Sequence, residues 1–267
     1  MQNGYYDVVG GMVTQFNKLD VISNNLANLN TTAFKKDETV VGDFKRIFQN
    51  AQDDMPIKDN TKEAAKFLNS SISGVPQIVE QYTKFTQNGM KNTGNDLDFA
   101  LKSANAFFMV KTPSGIRLTQ DGSFVVNNDG VLSTKEGYPV LPANYFTNSK
   151  LIKVDTQKRF GLDKSGNIYA DSDKAGKLFI ATTDDIKSLQ KEGSNLFKFT
   201  DIKAIHQTTQ QDIVAQGFLE TSNVNPVKEM VGLIEANRMV EMYQKVMSSH
   251  MNDLNTDAIN KLASTRA

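Results

Sequence analysis

At both ends of this 267-residue chain, apolar residues recur in alternating steps of four and three. The N-terminal series is Tyr5, Val9, Met12, Phe16, Leu19 and Leu26, with Ser23 in its one gap. The C-terminal series is Leu233, Ala236, Val240, Tyr243, Met247 and Leu254, with only His250 intervening. Such a heptad stripe belongs to long helices that bury a narrow seam against other helices, and it leaves the termini few other folds.

The first helical pattern runs from about residue 3 to 30 without proline and ends in Asn24, Asn25, Asn28 and Asn30. Asparagine is a poor interior helix residue because its amide competes for backbone hydrogen bonds. Its density here points to amides that bond to neighbouring chains rather than to an ordinary frayed helix end. The second pattern starts at Pro226 and continues to about Leu262, with Ser222 or Asn223 as candidate caps and Asn225 beside them. Met230, Met239, Met242, Met247 and Met251 give it an adaptable surface.

Between the helices the character changes. Residues 36–78 are polar and mixed, which reads as a linker or extended arm with a short helix over 60–69. From 79 to 220 the signals are those of strands. Ile78 to Phe85 alternates, and Ala106 to Val110 is a short apolar run. Turn pairs recur at Ser114-Gly115, Asp121-Gly122, Asp129-Gly130, Glu136-Gly137, Ser165-Gly166 and Ala175-Gly176. This spacing predicts an antiparallel sandwich or barrel with Phe124, Val126, Val131, Leu132, Val140 and Leu141 in its core. The expected class is α+β: paired, coiled-coil-like N- and C-terminal helices and a central antiparallel β-rich domain. The expected segments are 1–35, 36–78, 79–220 and 221–267.

Composition closes off several functions. Lys plus Arg equals Asp plus Glu at 30 each, so there is no basic excess for nucleic acid. No apolar run approaches the ~20 residues that span a bilayer, so stable membrane insertion is not expected. Cysteine is absent, which removes disulfides, thiol nucleophiles and thiolate ligands. His206 and His250 lie in different expected segments and read as surface or seam residues. Asp171-Ser172-Asp173 begins like a calcium loop, but Ala175 and Thr182 stand where later ligands belong. Gly10-Gly11 lacks the lysine and spacing of a phosphate loop. Neither a catalytic constellation nor a metal or cofactor site is expected.

Several blocks resemble the flagellar axial protein family, which includes rod and hook proteins. Ser23-Asn24-Asn25-Leu26-Ala27-Asn28-Leu29-Asn30-Thr31-Thr32-Ala33-Phe34-Lys35 is similar to its N-terminal signature. Thr93-Gly94-Asn95-Asp96-Leu97-Asp98-Phe99-Ala100-Leu101 is similar to its central block. Thr119-Gln120-Asp121-Gly122-Ser123-Phe124 and Gly137-Tyr138-Pro139-Val140-Leu141 follow in the family's order. Gly217, Leu219-Glu220, Ser222-Asn223-Val224-Asn225 and Glu229-Met230 resemble the closing signature. Departures are Ala33 for the signature glycine, Gln120 for the usual arginine, and Ala104 and Ala106 for glycines. Size and block order lean towards the distal-rod type, with the proximal rod open.

The resemblance implies a non-enzymatic subunit of the basal-body rod that self-assembles into a helical tube and transmits torque from motor to hook. Its partners would be copies of itself, other rod and hook proteins and the flagellar export apparatus, which would deliver it to the periplasmic rod without a cleaved signal peptide. The expected assembly residues are the two stripes named above with Asn24, Asn25, Asn28, Asn30, Phe34, Asn223 and Asn225. The two ends would pair within a subunit, and that pair would pack against others. The competing readings are a secreted binding or adhesin module acting through β-domain loops, and a carbohydrate-acting enzyme, which would need paired carboxylates in a cleft.

Overall fold

Two long helices follow from the heptad stripes: α1 (Gln2–Ala27) and α2 (Pro226–Ser264). The computed structural model describes residues 2–43, 76–148, 150–154, 160–163, 166–170, 173–208 and 210–264. The helix expected over 60–69, and Asp171-Ser172 of the loop compared with calcium sites, lie outside these residues. The chain divides into two compact units. One comprises Met1–Ala27, Asp37–Tyr82 and Asn225–Ala267; the other comprises Asn28–Lys36 and Thr83–Val224.

In the helical unit α1 and α2 run antiparallel. Gly11 faces Tyr243, Ile22 faces Gly232, and Asn25 reaches Glu229, so advancing along one helix means retreating along the other. A Cβ on Gly11 would lie 2.5 Å from the Tyr243 ring, and one on Gly232 would lie 3.3 Å from Ile22 Cδ1. Glycine inside a helix costs roughly 0.5–1 kcal/mol. Here that cost lets a large side chain lie directly on the partner's backbone. Both described ends of the 36–78 arm are strands, Asp37–Asp43 and Pro76–Thr83, which pair as a two-stranded ribbon.

The β-rich unit is built on a six-stranded antiparallel sheet. Its strand order is Gln190–Lys191, Leu196–Lys198, Gly115–Thr119, Ala106–Thr112, Ile180–Thr183 and Ile205–Gln207. The run Ala106–Val110 is apolar throughout because this sheet is covered on both faces. Phe108 and Val110 join one core with Phe99, Phe124, Leu132 and Ile168. Phe107 and Met109 join another with Leu118, Leu141 and Phe197. The expected core residues Phe124, Val131, Leu132, Val140 and Leu141 are buried, and Val126 packs against them.

The sandwich-or-barrel expectation is corrected: one two-sided sheet is flanked by short two- and three-stranded sheets. Turn spacing counts strands but does not determine their partners. Two of the expected turn pairs are corrected as well. Asp121-Gly122 closes no hairpin; Gly122 lies against the Phe99 carbonyl, where no side chain fits. Ala175-Gly176 lies inside strand Asp173–Lys177, next to a register shift opposite Ile168 and Tyr169.

Candidate assembly interface

The two stripes meet different fates. On α2 the buried or half-buried face is Glu229, Leu233, Ala236, Val240, Tyr243 and Met247, which contains the expected series as far as it is described. The Leu254 side chain lies outside the described residues, as does that of Tyr5. On α1 the buried residues are Val8, Gly11, Thr14, Ile22 and Asn25. Four of these stand one position before Val9, Met12, Ser23 and Leu26. The expected series is therefore not the face that closes on the subunit's own second helix. Val9, Met12, Leu19 and Leu26 are half-buried, and Phe16 is 44% exposed. An apolar count passes over the true contact face because it contains a glycine, a threonine and an asparagine.

Further apolar side chains face solvent on both helices: Val13 beside Phe16 on α1, and Val227, Met230, Val231, Ile234, Met242 and Val246 on α2. At ~100° per residue, Val227, Met230, Val231, Ile234 and Met242 fall within about 60° of one direction. Ala236 and Val240 fall on the opposite side. Helix α2 thus carries an uncovered apolar patch over Val227, Met230, Val231 and Ile234; further along, the exposed Arg238, Glu241 and Lys245 share this direction with Met242.

Four of the asparagines expected to bond neighbouring chains, Asn25, Asn28, Asn223 and Asn225, bond groups within this one. Asn25 is buried and holds one residue by both backbone groups. Its Nδ2 donates to Asp37 O at 2.9 Å, and its Oδ1 accepts Asp37 N–H at 3.1 Å. Asn225 caps α2 by accepting Lys228 N–H at 3.1 Å, a role expected for Ser222 or Asn223. Proline at the next position loses no helical bond. Asn24 borders a groove with Asn17, Asp20 and Gln81.

In the β-rich unit, Asn223 accepts Lys36 N–H at 2.8 Å and donates to Lys84 O at 2.7 Å. Asn28 accepts the Thr31 hydroxyl, and Asn30 is exposed. Phe34 is buried beneath Lys191, whose Nζ stands 3.8 Å from the ring centroid and donates to Lys35 O. Beside it is a pair that the sequence reading missed. Lys35 Nζ donates to Glu220 Oε1 at 2.6 Å and to Thr86 O at 3.2 Å, with both side chains almost wholly buried. Glu220 also accepts Asn88 N–H. Burial pushes the Lys35 ammonium below the ordinary lysine range, against the upward pull of the Glu220 carboxylate. The signal was present: both residues lie inside the signature blocks, where a buried charge needs a buried partner.

The remaining blocks are also architecture. Asp98 accepts Thr93 Oγ1 at 2.6 Å and Asn95 Nδ2 at 3.2 Å, closing a turn around Gly94 at φ +69°. Gln120, standing in place of arginine, donates to Ala104 O and Ala106 O. Asp121 is buried enough to be pushed above the ordinary carboxylate range, although hydrogen bonds from Ser123 and Thr32 oppose that. His206 is an exposed strand residue and His250 is half-buried on α2. Among the described residues, no cluster of three or more His, Cys, Asp or Glu could hold a metal ion.

Ala33 adopts φ +53°, the left-handed conformation that the family's glycine reaches without steric cost. Its N–H is bonded to Glu220 O at 2.9 Å, so the loop cannot relax away from it. Ala33→Gly is expected to stabilise the β-rich unit by about 1 kcal/mol, offset in part by unfolded-state entropy. A raised denaturant midpoint at constant slope checks this.

Comparison with known proteins agrees with these motifs. Residues 8–35 match the family described as flagella basal body rod protein. Residues 103–170 match the flagellar hook protein FlgE/F/G D1 domain, and residues 215–260 match the flagellar basal body rod FlgEFG protein C-terminal family. Flagellar basal-body rod protein FlgF of Caulobacter vibrioides is 32% identical over 267 residues, covering 98% of each chain. Flagellar basal-body rod protein FlgG of Borreliella burgdorferi is 30% identical, covering 95% of this chain and 97% of its own. Flagellar hook-basal body complex protein FlhO of Bacillus subtilis is 25% identical, covering 94% and 95%. The likeness runs nearly end to end, and the signature blocks fold into the joints that hold each unit together. This chain belongs to the flagellar basal-body rod protein family.

Proposed function

We propose that this chain is a structural, non-catalytic subunit of the basal-body rod, and that it self-assembles through its terminal helices into a helical tube carrying torque from motor to hook. The observation that carries this reading is the uncovered apolar patch of α2, together with Phe16 and Val13 on α1. Burying a side chain of this size is worth about 1.5–3 kcal/mol, so copies stacking these faces gain a large term that a single chain forgoes. The chain's own copies are the first occupants, in coiled-coil-like packing, and the tube's ends meet other rod and hook proteins. Delivery by the flagellar export apparatus to the periplasmic rod, without removal of a signal peptide, completes the reading.

The test separates folding from assembly. Phe16→Asp and Ile234→Asp each place a carboxylate on an exposed face, so the circular dichroism and melting of the dilute chain should stay within about 0.5 kcal/mol of the unsubstituted chain. In an assembled seam the same carboxylate is desolvated, at a cost of several kcal/mol per site. Sedimentation should then show loss of assembly by a factor of about 100 or more in concentration. Assembly equal to that of the unsubstituted chain would remove the terminal helices from the interface.

A further inference from the structure

Half of the methionines lie on α2: Met230, Met239, Met242, Met247 and Met251, of 10 in the chain. They are not equivalent. Met230 is 54% exposed among Val227, Val231 and Ile234, and Met242 is 52% exposed on the same side of the helix beside Arg238 and Lys245, whereas Met109 in the β-rich core is 1% exposed. Met251 is also exposed, but the helical period turns it away from that side, and Met90 is exposed on a strand of the β-rich unit. A thioether is apolar and adaptable, whereas its sulfoxide is polar.

We propose that the sulfurs of Met230 and Met242 form an oxidation site at which hydrogen peroxide removes the unassembled chain from the assembling pool. The inference rests on the assembly reading above. In the reaction the methionine sulfur attacks one peroxide oxygen, an S–O bond forms and the O–O bond breaks. Sulfur is oxidised by two electrons, and the transferred oxygen gives its proton to the departing hydroxide, which leaves as water. Each sulfoxide places a strong hydrogen-bond acceptor where, on the assembly reading, a neighbouring helix packs against the apolar thioether. Assembly covers both sulfurs, so the site is open only before incorporation. A thiol-dependent methionine sulfoxide reductase reverses the change, the thiol pair leaving as disulfide and the oxygen as water.

The experiment uses the full chain treated with hydrogen peroxide, with oxidation located by peptide mass spectrometry and assembly followed by sedimentation. Met230 and Met242 should gain oxygen at least about tenfold faster than Met109, and about tenfold more protein should then be needed for assembly. Sulfoxide reductase with dithiothreitol should restore the original threshold. Measured against its own untreated threshold, M230L/M242L should show no rise in the protein needed for assembly after the same treatment, while M90L/M251L should show the full rise seen in the native chain. Oxidised native chain assembling at the untreated threshold would overturn the proposal, as would sensitivity of M230L/M242L equal to that of the native chain. If the untreated control does not assemble, the assembly reading itself fails, and this inference with it; an untreated chain that assembles isolates the oxidation step.

Discussion

Gly122→Ala is expected to abolish cooperative melting of the β-rich unit. A Cβ at this position would stand 1.8 Å from Phe99 O and 2.7 Å from Phe99 C, with Phe108 Cε2 at 3.1 Å. The two backbones cannot separate cheaply, because Phe99 N–H donates to Gly122 O at 3.0 Å and both phenylalanines lie fully buried in one core. Overlap with a fixed backbone carbonyl belongs to the rare class of substitutions costing more than about 4–5 kcal/mol, a large part of a domain's 5–15 kcal/mol. Gly137→Ala is the control. Gly137 has φ +87° but nothing within 4 Å of its Cβ position, so only backbone strain of about 1–2 kcal/mol applies. Calorimetry should show no transition for the first variant and a modestly lowered one for the second.

Breaking the Lys35–Glu220 pair comes next in size. Lys35→Met leaves the Glu220 carboxylate buried with only the Asn88 N–H among its observed donors, and removal of one partner from a buried pair costs about 3–5 kcal/mol. The pair itself is worth much less than that, because both charges were taken out of water. Lys35→Met combined with Glu220→Leu should therefore recover most of the loss. A double-mutant cycle in denaturant reads this directly: additive losses would show that the two side chains do not act as a pair.

The fold was legible where one physical signal dominated. The α2 stripe, the two-sided run at Ala106–Val110 and the buried Leu132, Val140 and Leu141 all follow from apolar periodicity. Reading failed where contact depends on what is missing from a side chain. Gly11 and Gly232 carry no apolar signal, yet Tyr243 and Ile22 lie against them, which moved the α1 contact face by one position. Among the asparagines, Asn28 and Asn225 bond groups three residues away, whereas Asn25 and Asn223 bond distant backbone groups at Asp37 and Lys84, which no local pattern reveals. Lys35 and Glu220 are separated by 185 positions, so their pairing becomes visible only once the strands are in place. Ala33 stood out as a departure from the family pattern, and its positive φ gives that departure a conformational meaning.

In the proposed assembly the terminal helices become buried as chains associate, while the β-rich unit is already complete in each chain. Hydrogen exchange of the full chain, followed from dilute to assembled protein, tests this most directly. Amides of residues 2–27 and 226–264 should gain protection of about tenfold or more as assembly proceeds, because covered helices open less often. Amides of the core strands Ala106–Thr112 and Ile180–Thr183 should not change. Assemblies in which the helices exchange as they do in the dilute chain, with new protection confined to the β-rich unit, would contradict it.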